Sequence, residues 1–205
     1  MLFGGGDLIG RLAQLLLSLP AVLWAITFHE YCHGYAALKC GDRTAELDGR
    51  LSLNPMHHLD PVGALCLLFF RFGWAKPVPI NPGNFRHPRR DLVIVSLAGA
   101  AGNILTAFVC AQLVRWVPSL FASYGAQQFI LIMIYMNVGL AAFNLIPIPP
   151  LDGSRVLYVL LPYNCLNAYY FLERWGMFII LGLILTGVFP MLMDPLSKII
   201  LSVIL

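Results

Sequence analysis

Long runs without charged residues constrain the fold of this chain more than any other feature of its sequence. Four strongly apolar runs of this kind cover residues 12–28, 92–114, 116–151 and 175–193. Each is at least about as long as an α-helix needs to be to cross the hydrocarbon core of a bilayer. Charged residues make up 11% and hydrophobic residues 59% of the chain, whereas an ordinary soluble domain is about 25% charged. The sequence therefore predicts an all-α polytopic membrane protein and excludes a disordered chain or a soluble nucleic-acid-binding protein.

The number of membrane helices expected from these runs is about four to six. Pro118 and Gly125 lie early in the third run, so its helix is expected to begin near Gln127. Two further apolar stretches, residues 61–70 and 195–205, are too short to cross and are expected to be re-entrant or interfacial. We expect residues 1–205 to form one integral-membrane domain, with the first run retained as an anchor because it lacks the features of a cleaved signal.

Basic residues are concentrated in the connection between the first and second runs. Eight of the 13 lysines and arginines lie within residues 39–91. The positive-inside rule places this connection in the cytoplasm. The first run then ends on the cytoplasmic side, and the third run returns there near Pro150. Within the connection, residues 50–53 predict a short strand and residues 76–81 an extended, proline-stiffened segment.

A metal-binding pattern follows the first apolar run directly. His29 and His33 are four residues apart, so both imidazoles face the same side of a helix and can meet one metal ion. Glu30 lies between them and can act as a general base without being a ligand, which is the HExxH arrangement of zinc peptidases. The alternative is a chance match, or histidines that cap a helix end. Ionisable residues at the end of a membrane helix favour a functional site.

A catalytic zinc usually has three protein ligands, so a third must come from elsewhere in the chain. Asp152 directly follows the third apolar run, and the expected topology brings it to the same membrane side as the histidines. It could instead cap the helix that begins at Gly153. We favour ligation because no other acid fits.

These residues together resemble the site-2 protease family of intramembrane metalloproteases, peptidase family M50. The resemblance rests on His29–His33, on the NxxPxxxxDG pattern from Asn144 to Gly153 and on the AGxxGN segment that ends at Asn103. It covers about residues 15–160, the expected catalytic core. The size of the chain is similar to that of compact members without a PDZ or CBS domain.

The resemblance implies zinc-dependent hydrolysis of a peptide bond in or near the transmembrane helix of a membrane-protein substrate. His29, His33 and Asp152 would hold one Zn²⁺ per chain, and Glu30 would move a proton from the attacking water to the leaving amine. Asn144 would hydrogen-bond the substrate backbone or the developing oxyanion, or else make an interhelical hydrogen bond. Asn103 is expected to be structural. The implied location is the bacterial inner membrane, with the active site near the cytoplasmic side.

The family also has a membrane-embedded β element, so residues 50–53 or 76–81 could pair with a locally extended substrate by strand addition. The alternative is that this connection only covers the cytoplasmic mouth of the site.

Two other functions remain open from the sequence. A different membrane zinc hydrolase would take a glutamate as its third ligand, for which Glu173 is the remaining candidate. A zinc carrier or scaffold would bind the metal without catalysis. Glu30→Gln separates a carrier from a protease, because only the protease needs the general base.

Overall fold

The computed structural model describes residues 8–60, 63 and 76–205. Within these ranges the chain forms α-helices joined by turns and short 3₁₀ segments, without a strand. The helices are α1 (Leu8–Cys40), α2 (Thr44–Leu47), α3 (Pro88–Trp116), α4 (Tyr124–Leu145), α5 (Asp152–Leu160), α6 (Leu166–Leu185) and α7 (Val188–Ile204). Three helical segments are long and apolar enough to cross a membrane: α3, α4 and Tyr163–Leu185, which contains α6. The prediction of a helical membrane protein is confirmed at this level.

Helices α1 and α3 are antiparallel and closely packed. Trp24 Nε1 donates to Thr106 Oγ1 over 3.4 Å, and the Arg86 amide donates to Cys40 O over 3.1 Å at the other end of the pair. The buried faces of both helices are rich in small residues, which let helix backbones approach within a membrane. These small residues are Ala21, Ala25 and Ala37 on α1 and Gly99, Ala100, Gly102 and Ala107 on α3. The expected approach of the glycine segment to the histidine-bearing helix is therefore present.

The core of the helix bundle lies between α3, α4 and α7. Ala107 and Ala111 of α3 pack with Ile130 and Ile134 of α4 in one buried cluster, which Ile204 of α7 completes. Helix α4 begins at Tyr124, three residues before the expected start, because the Ser123 hydroxyl caps it by accepting from the Ala126 amide over 3.3 Å. Such a cap satisfies one of the free amides in the first turn.

The fourth predicted span, residues 175–193, is wrong as a single helix. Helix α6 ends at Leu185, and Gly187 adopts a φ of 73°, a left-handed conformation that favours glycine and ends the helix. The next helix, α7, takes up the stretch 195–205 that was expected to be interfacial. It runs antiparallel to α4, because Phe189 packs against Phe143 near the end of α4, with ring centres 5.3 Å apart, while Ile204 O accepts a hydrogen bond from Gln112, close to the turn that leads into α4.

The connection between α1 and α3 is fastened to the end of α1. We call residues 76–81 the strap. Arg50 Nη2 donates to Lys76 O over 2.8 Å and to Pro77 O over 3.2 Å, and the Asn81 amide donates to Asp42 over 2.7 Å. Burial raises the pKa of Asp42, but hydrogen bonds from Thr44, Asn84 and Asn81 outweigh it and hold that pKa below its usual value. Asp42 is therefore a charged anchor for the strap.

The predicted β element is not confirmed in the part of the connection that the structure describes, where Leu59 forms only an isolated β-bridge. Residues 50–53 form no strand, and residues 76–81 have no assigned regular structure. Arg50 binds the strap through its guanidinium rather than through a ladder of main-chain hydrogen bonds. The interfacial segment expected at residues 61–70 lies outside the described residues, Gly63 excepted.

Candidate metal centre

Three side chains predicted to bind a metal converge at the junction of α1, α3 and α5. Nε2 of His29 and Nε2 of His33 lie 3.1 and 3.0 Å from Oδ2 of Asp152, and 3.0 Å from each other. Both histidines are 4% exposed. Within the described ranges, these three residues are the group of histidine, cysteine and acidic side chains that could share a metal ion.

The local structure explains why residues so distant in sequence meet. His29 and His33 are on one face of α1, one turn apart. After α4 ends at Leu145, a tight turn follows, in which the Leu151 amide donates to Ile148 O over 3.0 Å. Asp152 is then the first residue of α5. The N-cap position is Leu151 and has no side-chain cap, and the carboxylate of Asp152 faces the imidazoles, so this geometry favours ligation over helix capping.

The donor set fits a zinc ion. Two imidazole nitrogens and one carboxylate oxygen are a ligand set found in catalytic zinc sites, which leaves a fourth position open. Metal–ligand distances of about 2.0–2.1 Å put tetrahedral ligand atoms about 3.3 Å apart, close to the 3.0–3.1 Å between these atoms. Burial raises the pKa of Asp152, but hydrogen bonds and charge from His29 and His33 lower it further, well below its usual range. The carboxylate is therefore ionised, as a ligand must be.

Gly99 of α3 forms the wall of the site behind the imidazoles. A Cβ atom at this position would lie 2.5 Å from Nε2 of His33 and 2.7 Å from Nε2 of His29. These are the two atoms that would bind the metal, so any side chain here would compete with the ion for space. Only glycine leaves this wall open.

The second ring nitrogen of each histidine also contacts α3. Nδ1 of His29 lies 2.7 Å from Oδ1 of Asn103, and Nδ1 of His33 lies 2.7 Å from Val95 O. Residues 95, 99 and 103 are spaced by four, so one face of α3 supplies all three contacts. The sequence reasoning treated Asn103 as structural and missed these contacts. An asparagine within an uncharged run was the available sequence signal for Asn103. No sequence feature indicates that the main-chain carbonyl of Val95 contacts His33.

Glu30 lies beside the ligands without belonging to their cluster. Its Oε2 accepts a hydrogen bond of 2.8 Å from the Val78 amide of the strap. Val78 is buried and packs against α1 at Gly34. The strap therefore holds one oxygen of the predicted general base in place.

Asn144 and Glu173 are not among the converging side chains. Asn144 is half-buried, and its Nδ2 donates to Leu140 O in its own helix over 3.1 Å. Glu173 is exposed on α6. The rival hydrolase with Glu173 as third ligand therefore has no support in this geometry.

Comparisons with known proteins show which family this chain is similar to. A family model described as Peptidase family M50 matches residues 112–183, a stretch that includes Asn144 and Asp152 but not the two histidines. "Putative zinc metalloprotease YwhC" of Bacillus subtilis is 40% identical over 168 residues, which cover 79% of this chain and 77% of that protein. "Putative zinc metalloprotease Rip2" of Mycolicibacterium smegmatis is 29% identical over 181 residues, covering 83% and 67%. No solved structure is significantly similar to this chain.

Proposed function

Because this chain belongs to peptidase family M50, we propose that it is an intramembrane zinc metalloprotease that hydrolyses a peptide bond in or near the transmembrane helix of a membrane-protein substrate. The observation that carries the proposal is the convergence of His29, His33 and Asp152, with Glu30 next to His29 in α1. Three apolar helices and the family make the chain an integral membrane protein. The relatives also carry zinc in their names.

His29, His33 and Asp152 would hold one Zn²⁺ ion. When bound, zinc supplies Lewis acidity, which polarises a carbonyl group and makes water a stronger nucleophile near neutral pH. The chain contributes a buried, pre-formed donor set and the open wall at Gly99. Preorganised charges in a water-poor site stabilise a developing negative charge more than the same charges would in water.

Glu30 would transfer the proton in the reaction. Peptide hydrolysis forms a bond from the water oxygen to the carbonyl carbon, breaks the C–N bond and moves one proton to the amine nitrogen. The Glu30 carboxylate takes that proton from the attacking water and delivers it to the leaving nitrogen. Since the Val78 amide donates to Oε2, Oε1 is the oxygen that accepts the proton.

Asn144 would bind the substrate backbone. Its Nδ2 already donates to Leu140 O, so Oδ1 is the atom better placed to act, as an acceptor for a substrate N–H. The second N–H group of Nδ2 can also donate to a developing oxyanion, so both roles of Asn144 fit this arrangement.

The strap is better suited to covering the site than to pairing with a substrate along its length. Pro77 and Pro79 have no N–H group. The amides of Lys76, Val78 and Asn81 already donate to His58 O, Glu30 and Asp42. The strap therefore offers a substrate mainly carbonyl oxygens. This supports the covering role over full strand addition.

The charge distribution supports a cytoplasmic site in the bacterial inner membrane. Arg86, Arg89 and Arg90 flank the start of α3, at the same end of the molecule as the end of α1. Basic residues beside membrane helices favour the cytoplasmic side. Both relatives named above are bacterial.

The test is cleavage of a single-span substrate by the purified protein in zinc-loaded liposomes. Glu30→Gln is expected to keep one zinc per chain and to lower turnover by about 10²–10⁴-fold, because a general base is lost. Glu46→Gln is the matched control, since Glu46 is an exposed partner of Arg43 and should be neutral. Cleavage by Glu30→Gln at the wild-type rate would refute Glu30 as the general base, and no cleavage by the zinc-loaded wild-type protein would refute the protease. Zinc flux across the vesicle membrane, equal in wild type and variant, would instead indicate a carrier.

A further inference from the structure

We propose that Asn103 and Asn137 are positioning residues for the metal site: Asn137 orients the Asn103 amide, which fixes His29 in the tautomer that binds zinc. Both asparagines are fully buried, at 0% exposure. They come from different helices, α3 and α4, and form one chain of hydrogen bonds that ends at a metal ligand. This inference rests on the proposed function, because the tautomer matters only if His29 binds a metal.

The direction of the hydrogen-bond chain is set by two main-chain carbonyls. Asn137 Nδ2 donates to Met133 O over 2.8 Å, so its Oδ1 faces Asn103. Asn103 Nδ2 donates to that Oδ1 over 2.8 Å and to Ala25 O over 2.9 Å. A carbonyl oxygen can only accept, so neither amide can be turned round without facing two acceptors at each other.

The orientation of Asn103 then determines the protonation of His29. With Nδ2 fully used, Oδ1 of Asn103 points at Nδ1 of His29 from 2.7 Å and requires a donor there. Nδ1 must therefore carry the proton in the neutral ring, which leaves the lone pair on Nε2. Nε2 is the atom that faces Asp152 and His33. Such outer contacts fix the tautomer and ring orientation of metal-binding histidines.

The two ligands are supported in different ways. His33 Nδ1 donates to Val95 O, a main-chain carbonyl that no side-chain substitution removes. His29 instead depends on a side chain, Asn103, and through it on Asn137. Substitutions in this chain of amides should therefore weaken metal binding through His29 alone.

The experiment measures Zn²⁺ affinity of purified protein in detergent by competition with a chelator. Asn103→Leu, of similar volume, is expected to weaken binding about 10–100-fold. Asn137→Leu should cause a smaller loss, because Asn103 keeps its bond to Ala25 O. Ser96→Ala is the matched control: Ser96 is fully buried on the same face of α3, but its hydroxyl donates to Leu92 O of its own helix, so affinity should not change.

A spectroscopic measurement separates positioning from a structural role. In zinc-loaded protein labelled with ¹⁵N-histidine, His29 and His33 should give two Nδ1–H signals protected from solvent exchange, distinct from the Nε2–H signal of buried His58, which donates to Ser52 O. Asn103→Leu should abolish the protection of one signal and leave the other. A loss of packing alone would not select one ring.

Each outcome decides between the two claims. Wild-type zinc affinity with both protected signals in Asn103→Leu would overturn this inference and leave the protease standing. No zinc in the wild-type protein would refute the proposed function itself. If Asn103→Leu does not fold, a single protected Nδ1–H signal in the wild type, or wild-type affinity in Asn137→Leu, would overturn the inference.

Discussion

The residues around the metal centre have different roles, which depend on their side-chain chemistry and on their positions along the helices. Nε2 of His29 and His33 and Oδ2 of Asp152 face one point, about 3 Å from one another. Gly99 provides no ligand atom. It contributes the space that a side chain at this position would fill. A residue that contributes only space can be tested without touching a ligand.

Gly99→Ala is expected to weaken Zn²⁺ binding at least about 10-fold while the helix remains intact. The added methyl would lie 2.5–2.7 Å from both Nε2 atoms, where the metal must approach. Alanine favours helix over glycine by about 1 kcal/mol, so a loss of helix cannot explain the effect. Gly139→Ala is the control, because a Cβ there meets nothing within 4 Å. The Zn²⁺ affinity of each variant is measured by competition with a chelator. Equal affinities of Gly99→Ala and Gly139→Ala would contradict the role of Gly99.

The strap joins the general base to the connection between α1 and α3. Its position depends on anchors at Arg50 and Asp42, and its one contact with the chemistry is the Val78 amide on Glu30. A hydrogen bond to a charged group contributes about 1.5–3 kcal/mol. We therefore expect the strap to hold Glu30 in its reactive orientation.

Val78→Pro is expected to lower turnover about 10-fold without loss of zinc, because proline has no N–H for Glu30. Val78 precedes Pro79, a position that favours an extended backbone, which proline can adopt. Val78→Ala is the control: it keeps the amide and removes only the side chain that packs at Gly34. Cleavage rates and zinc content are measured together. Equal rates for the proline and alanine variants would show that the amide does not act on Glu30.

The arrangement of the helices predicts which parts of the molecule lie on the same side of the membrane. Arg89 lies over the Tyr163 ring, with its guanidinium carbon 5.9 Å from the ring centre, so the α5–α6 junction lies beside the start of α3. At the opposite end, Gln112 Nε2 donates to Ile204 O over 3.5 Å. The end of α7 and the turn between α3 and α4 therefore lie together, away from the metal centre.

Labelling with a membrane-impermeant maleimide tests this arrangement in intact cells. Cys165 is exposed beside Tyr163, so in a variant whose other four cysteines are alanine it should react only after the membrane is opened. Ser119→Cys, in the turn between α3 and α4, should react from outside when Cys165 is also replaced. Labelling of the same two variants in detergent is the control, which should show that both thiols are reactive. The reverse pattern would put the metal centre on the outer side.

The sequence predicts some features of this molecule and not others, for physical reasons. Helical spacing alone places His29 and His33 together, and the membrane topology brings Asp152 to the same side. The contacts of Asn103, Asn137 and the Val78 amide depend on how α3, α4 and the strap lie against α1. No short-range pattern encodes that register. The break at Gly187 was missed because an uncharged run hides a single left-handed residue.

The central claim is that His29, His33 and Asp152 hold one zinc ion. Zinc content of the purified, detergent-solubilised protein tests it directly, with wild type compared to Asp152→Ala. Asp48→Ala is the control, since Asp48 is an exposed acid remote from the cluster. We predict one zinc per chain in the wild type and the control, and little or none in Asp152→Ala. A full zinc content in Asp152→Ala, or no zinc in the wild-type protein after zinc loading, would contradict this account.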